Sequence, residues 1–255
     1  MAQYDNRYAQ AGTAARQSGA VVDEGLRSYM LGVYNYMAGG VALSGLTAYL
    51  TVVAATGGAT GAAGRAALTP FGQLLYTSPL KWVVMLAPLA LVMFLSFRVY
   101  KMSVTATQLS FWLFAAAMGV SLSSLFLVFK IGSITQVFFV TAAAFAGLSL
   151  YGYTTKKDLS GWGSFLIMGV IGILIAGLVN IFLQSSAMQF AISVLGTLIF
   201  AGLTAYDTQQ IKDGYYQIAG DATLMAKGAI MGALNLYLDF INMFTSMLQL
   251  FGNRD

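Results

Sequence analysis

The sequence predicts an all-α fold: a polytopic membrane protein, a seven-transmembrane-helix bundle with a central seventh helix. Three observations carry this. Of 255 residues, 58% are hydrophobic and 9% charged, against about 25% charged in an ordinary soluble domain. Apolar runs recur seven times, each near the roughly 20 residues a helix needs to cross the hydrocarbon layer. The seventh run carries polar residues on one helical face, which lipid penalises because it offers no water to satisfy them.

Residues Met1 to Ser28 are polar, rich in Ala, Gln and Arg, with no apolar core. They read as a solvated cytoplasmic tail (1–28) ahead of a transmembrane domain (29–255), not as a signal peptide or first span. The expected spans are Met30–Ala54, Leu80–Val99, Thr107–Phe129, Ser133–Tyr153, Trp162–Leu183, Ala187–Thr208 and Ala226–Phe251. Gly57 to Ser78, small-residue-rich with Pro70 and Pro79 at its end, reads as a loop. Gln184 to Ser186 is the shortest connection, which makes the fifth and sixth spans antiparallel neighbours. No internal repeat or second domain is evident.

Nine of the thirteen Lys and Arg residues (Arg7, Arg16, Arg27, Arg98, Lys101, Lys156, Lys157, Lys212 and Lys227) fall on one side, and Arg65, Lys81, Lys130 and Arg254 on the other. The positive-inside rule then places the N-terminus in the cytoplasm and, with seven spans, the C-terminus outside. These cations are scattered between apolar runs, so the net charge of +4 is topogenic. It is not a nucleic-acid-binding stripe.

Cysteine and histidine are both absent, which excludes disulfides, thiolate chemistry and imidazole as base, ligand or pH switch. Proton sensing near neutral pH then falls on carboxylates that are desolvated or set beside a like charge. The chain has nine acidic residues, and Asp207 and Asp239 lie inside the last two spans, where an ionisable group is costly and is usually kept for function.

In the seventh span Asn235, Asp239, Asn242, Ser246 and Gln249 are spaced 4, 3, 4 and 3 apart, lining one helical face that Gly228 and Gly232 extend. Ser193, Thr197, Thr204 and Asp207 form a milder stripe on the sixth. Facing stripes make either a hydrogen-bonded packing seam or a hydrated path. The hydroxyls and amides suit glue between helices, whereas glue does not require the aspartates. With Lys212 and Lys227 taken as interface markers, the two carboxylates differ in depth by about 10 Å. A longer sixth helix, an interfacial start to the seventh near Asp221, or a bend at Gly228 or Gly232 would close that gap.

The segments GLTAYDTQQIKDGY (202–215) and ALNLYLDFINMFTSMLQLFG (233–252) resemble the signature of the Bax inhibitor-1 family, also called the transmembrane Bax inhibitor motif family. The likeness in span number and order covers the chain from Met30 onward, and the plain tail and short loops resemble a bacterial member of the inner membrane. The resemblance implies a pH-sensitive calcium leak, with Asp207 and Asp239 as the pH-sensing dyad. It also implies a latch arginine on the second span, matched to Arg98. An acidic partner found in the second span of some members has no counterpart between Leu80 and Arg98. Asn235, Asn242 and Thr204 are the expected path-lining residues. Calcium takes six to eight oxygens, so Asp207 and Asp239 with a nearby amide amount to a transit site for a transported ion; no resident cofactor is expected.

Three other readings stand beside this one. An intramembrane aspartyl protease needs Tyr-Asp in one helix and Gly-x-Gly-Asp in the next; Tyr206-Asp207 fits, but Asp239 follows Leu236, Tyr237 and Leu238, so no enzyme is expected. A retinal protein needs a lysine deep in its last helix, and Lys227 stands at the start. The alternative is an interaction protein that modulates a membrane-bound ATP-dependent protease through the N-terminal tail, as the resemblance to bacterial members implies.

Overall fold

A computed structural model describes residues 2–59, 63, 65 and 67–254, with side chains from residue 24 onward. The side chains of the expected tail up to residue 23 lie outside the described residues. The elements are α1 (Ala2–Thr56), α2 (Pro70–Tyr76), α3 (Leu80–Arg98), a 3-10 turn (Val99–Lys101), α4 (Val104–Leu122), α5 (Leu125–Val128), α6 (Ile131–Thr154), α7 (Ser160–Leu183), α8 (Ser186–Ile218) and α9 (Ala222–Phe251). Seven stretches are long and apolar enough to cross a membrane: Glu24–Thr56, Leu80–Lys101, Val104–Val128, Ile131–Thr154, Ser160–Leu183, Ser186–Ile218 and Ala222–Phe251. The fold is therefore the expected seven-span helical bundle.

The differences from expectation have local causes. Leu26 is buried in the core, so the first span begins to pack before Met30. The expected loop contains α2, because Pro70 sits where a missing N–H costs nothing and the Thr69 hydroxyl caps Gly72 N–H. The third span breaks at Ser123, whose hydroxyl donates to the Val120 carbonyl at 2.5 Å and meets Tyr76 Oη at 2.8 Å. Such side-chain bonding competes with helix continuation.

The seventh span, α9, stands at the centre and packs on α8, α1, α6 and α4. Tyr237 is fully buried between Phe111 and Phe114, both edge-on to it. Its hydroxyl meets Ser44 Oγ at 2.6 Å, and Ser44 reaches the Ala115 carbonyl at 2.6 Å. One polar contact thereby ties α9, α1 and α4 together inside an otherwise apolar core. Close backbone approaches set the crossings: Gly119 lies against Ser44 of α1, and Gly152 of α6 against the Ala205 backbone of α8.

Candidate functional site

The α8–α9 hairpin forms the candidate site, and small residues set its register. A methyl group at Gly228 would come within 2.8 Å of Ile218 Cδ1, one at Gly232 within 3.2 Å of Ile211, and one at Gly196 within 2.6 Å of Ser246 Oγ. The predicted polar stripe of α9 therefore faces α8. Asp207 lies eleven residues before Ile218 and Asp239 eleven residues after Gly228, so both stand about 16 Å from the level where Ile218 meets Gly228.

The 10 Å depth difference expected from the lysines does not arise. Helix α8 continues six residues past Lys212, and the Lys212 ammonium donates to the Tyr153 carbonyl at 3.0 Å. That lysine is thus a mid-helix residue and no boundary marker. The Asp207 and Asp239 side chains consequently stand near one level on facing helices, close enough for their charges to interact.

Asp239 is 4% exposed, and its Oδ2 is buried with no hydrogen-bond partner among the described residues. Asp207 instead borders a cavity of about 290 Å³ that is also lined by Tyr29, Gln210, Gln217, Gly228 and Asn235. This cavity opens at the end of the bundle that carries the α8–α9 turn. At the opposite end, Asn180, Gln184, Gln189, Ser193, Gln249 and Arg254 surround a second polar cavity of about 440 Å³. Between the two, Asn242 and Ser246 continue the stripe, and the Gly196–Ser246 contact closes the seam.

Other expected site residues are placed differently from the pair. Thr204 is fully buried, with its hydroxyl donating to the Phe200 carbonyl at 2.8 Å, so it belongs to packed seam and borders neither cavity. Asn242 donates to the Leu238 carbonyl at 2.8 Å. Arg98 is exposed at the end of α3, a helix that packs on α4 and α2, and it makes no ion pair with either aspartate. The hydroxyls of Ser193, Thr197 and Thr204 all bond carbonyls four residues back in their own helix; they satisfy themselves and do not glue α8 to α9.

The structure also brings in residues that periodicity did not single out. Thr208 meets Ser149 Oγ at 2.9 Å, which meets Tyr34 Oη at 2.7 Å. Gln209 is buried; its Nε2 donates to the Lys157 carbonyl at 2.8 Å and its Oε1 accepts Leu159 N–H at 2.7 Å. Tyr206 lies against Gly163, where a methyl group would come within 2.7 Å of its Cζ. Four consecutive residues, Tyr206 to Gln209, therefore contact α7, α9, α6 and the 155–159 connection in turn. The signal was the dense polar run Asp207-Thr208-Gln209-Gln210, of which Thr208, Gln209 and Gln210 figure in the sequence only as part of the family motif.

The sequence profile of the family described as inhibitor of apoptosis-promoting Bax1 matches residues 26–255. An uncharacterised protein of Caulobacter vibrioides is 47% identical over 235 residues, covering 92% of each chain. The inner membrane protein YbhL of Escherichia coli K12 is 44% identical over 232 residues, covering 90% of this chain and 93% of its own. A Rickettsia prowazekii protein is 42% identical over 232 residues. Since the profile takes in all seven spans and these relatives align nearly end to end, the chain belongs to the Bax inhibitor-1 family of membrane proteins.

Proposed function

We propose that this protein is a proton-controlled cation leak of the bacterial inner membrane, carrying calcium, with Asp207 and Asp239 as its gate and the N-terminus in the cytoplasm. The observation that supports the reading is the closeness of two carboxyl groups at the edge of a polar cavity, one of them with a buried oxygen that has no partner among the described residues. Two carboxylates confined together cannot both ionise cheaply, so they share a proton and titrate as a pair.

With one proton shared, the pair carries a single negative charge instead of two and the α8–α9 seam is shut. When the proton leaves, like charges push the helices apart along the contacts at Gly232 and Gly196, joining the two cavities. The same ionisation exposes carboxylate oxygens to a passing cation, with the Asn235 amide beside them. Such a sparse oxygen set suits transit and not storage, because calcium in a tight site takes six to eight ligands.

The test is calcium efflux from liposomes containing the full-length protein, measured across the acid-to-neutral range in which the pair titrates as a unit. Flux rises with pH, by at most about tenfold per unit for one shared proton. Asp207→Asn and Asp239→Asn each flatten the profile. A double Asn variant that leaks with the wild-type profile defeats the proposal.

A further inference from the structure

A cavity of about 650 Å³ lies where α6 and α7 each pack along α8, leaving a cleft over Ala201, Gly202 and Ala205. Small residues make its floor, and its apolar walls are open: Phe165, Leu195 and Leu198 are 63%, 52% and 64% exposed. In a bilayer, a slot of this kind along spanning helices sits in the hydrocarbon and is filled by an acyl chain. Trp162 and Tyr151 border its upper part, at the level where amphipathic rings favour the headgroup region.

The mouth carries one charge of each sign. Lys157 and Asp158 both line the cleft, whereas Lys156 does not. Their backbone is held from the core, since the buried Gln209 grips the Lys157 carbonyl and the Leu159 amide on either side of Asp158. Asp158 Oδ1 accepts Ser160 N–H at 2.8 Å, and because the residue is exposed its carboxylate, with about four lone-pair sites, still has room for a further donor. The cleft thus ends in a cation and an anion on adjacent residues of a backbone anchored to the core.

We propose that this cleft binds one phosphatidylethanolamine molecule, with an acyl chain along Phe165, Leu198 and Gly202, the phosphate on Lys157 and the primary ammonium on Asp158. A purely anionic headgroup would satisfy Lys157 but meet Asp158 as a like charge. A choline headgroup carries a cation but has no N–H to donate to the carboxylate. The ethanolamine headgroup complements both residues. This site is separate from the gate and does not depend on ion flux.

The test incubates the full-length protein in detergent with equal amounts of dioleoyl phosphatidylethanolamine, phosphatidylglycerol and phosphatidylcholine, and reads the retained lipid by native mass spectrometry. The wild type retains phosphatidylethanolamine over each of the others by about fivefold, the factor of one ion contact at a membrane surface. Asp158→Asn removes the preference over phosphatidylglycerol. Lys157→Gln lowers retention of both phosphatidylethanolamine and phosphatidylglycerol. Ala201→Phe, which fills the floor, lowers all three. The two charge variants lie on an exposed loop and leave the fold intact. Equal retention of the three lipids by the wild type, phosphatidylglycerol ahead of phosphatidylethanolamine, or an unchanged ratio in Asp158→Asn overturns the proposal.

Discussion

Gly232 lies beneath the side chain of Ile211, and this contact holds Asp207 level with Asp239. A methyl group at Gly232 would stand 3.2 Å from Cδ1, Cγ1 and Cγ2 of Ile211 at once. Those atoms belong to a side chain, so the obstruction can be removed. At Gly119 a methyl group would meet the Thr47 hydroxyl and, behind it, main chain that cannot be trimmed away, with Ser44 Cα at 2.8 Å.

The two glycines therefore predict opposite rescue behaviour. Gly232→Val lowers unfolding stability by about 1–3 kcal/mol through overpacking, and adding Ile211→Ala restores most of it. Gly119→Ala costs at least as much, and Thr47→Ala does not restore it, because the Ser44 backbone remains. Thermal unfolding of the four variants in one detergent decides the matter; rescue at both sites, or at neither, contradicts the register.

The seven spans, their order and the central position of α9 were legible because they follow from length, hydropathy and one polar face, all properties of a single helix. The depth match of Asp207 and Asp239 was not, because it depends on where two helices touch. The lysines used to set depth misled, since Lys212 lies mid-helix against Tyr153. Contacts such as Gly228 with Ile218 leave no periodic trace in sequence. Gln209 escaped notice for a similar reason: its partners are backbone groups some fifty residues away, and a backbone carbonyl has no residue identity to read.

Gln209 predicts a graded series. Gln209→Ala strands the Lys157 carbonyl and the Leu159 amide, at about 1–3 kcal/mol for buried groups left unpaired, and speeds hydrogen exchange at Leu159. Gln209→Glu keeps the acceptor for Leu159 N–H but loses the donor to Lys157. It should protect the Leu159 amide nearly as well as the wild type while still lowering stability. An unprotected Leu159 amide in Gln209→Glu would refute the assignment of the two halves of this amide.

Asp158, in the connection before α7, predicts an acid-sensitive turn. The Ser160 backbone N–H, bonded to its carboxylate, holds Asp158 below its ordinary value of 3.8. A carboxyl lowered by folding stabilises the folded turn above its unfolded value, and that contribution disappears as pH falls through the lowered one. Protection of the Ser160 amide, taken relative to the intrinsic exchange rate at each pH, therefore falls as pH drops below the ordinary carboxylate range. Asp158→Asn keeps an acceptor oxygen in place and abolishes this acid step, so an acid step that persists in Asp158→Asn assigns it to another group.

Asp239 predicts a conflict between stability and function. Among the described residues its buried Oδ2 has no partner, and the Asp207 carboxyl lies near it, so the wild type carries an uncompensated group in its central helix. Asp239→Asn replaces one charge by an amide able to donate to the Asp207 carboxylate. At about pH 8 this variant is more heat-stable than the wild type by about 1–3 kcal/mol, the cost of a buried polar group left unsatisfied. At lower pH, where the wild-type pair holds its shared proton and carries the same single charge as the variant, the difference narrows. Asp207→Asn gains less, because the Asp207 carboxylate borders the cavity with Gln210 and Asn235 and keeps some hydration. Thermal unfolding of the three proteins at both pH values separates the outcomes. A stability gain for Asp239→Asn that stayed the same at both pH values would mean that packing, and not the charge of the pair, is what the wild type sacrifices at this position.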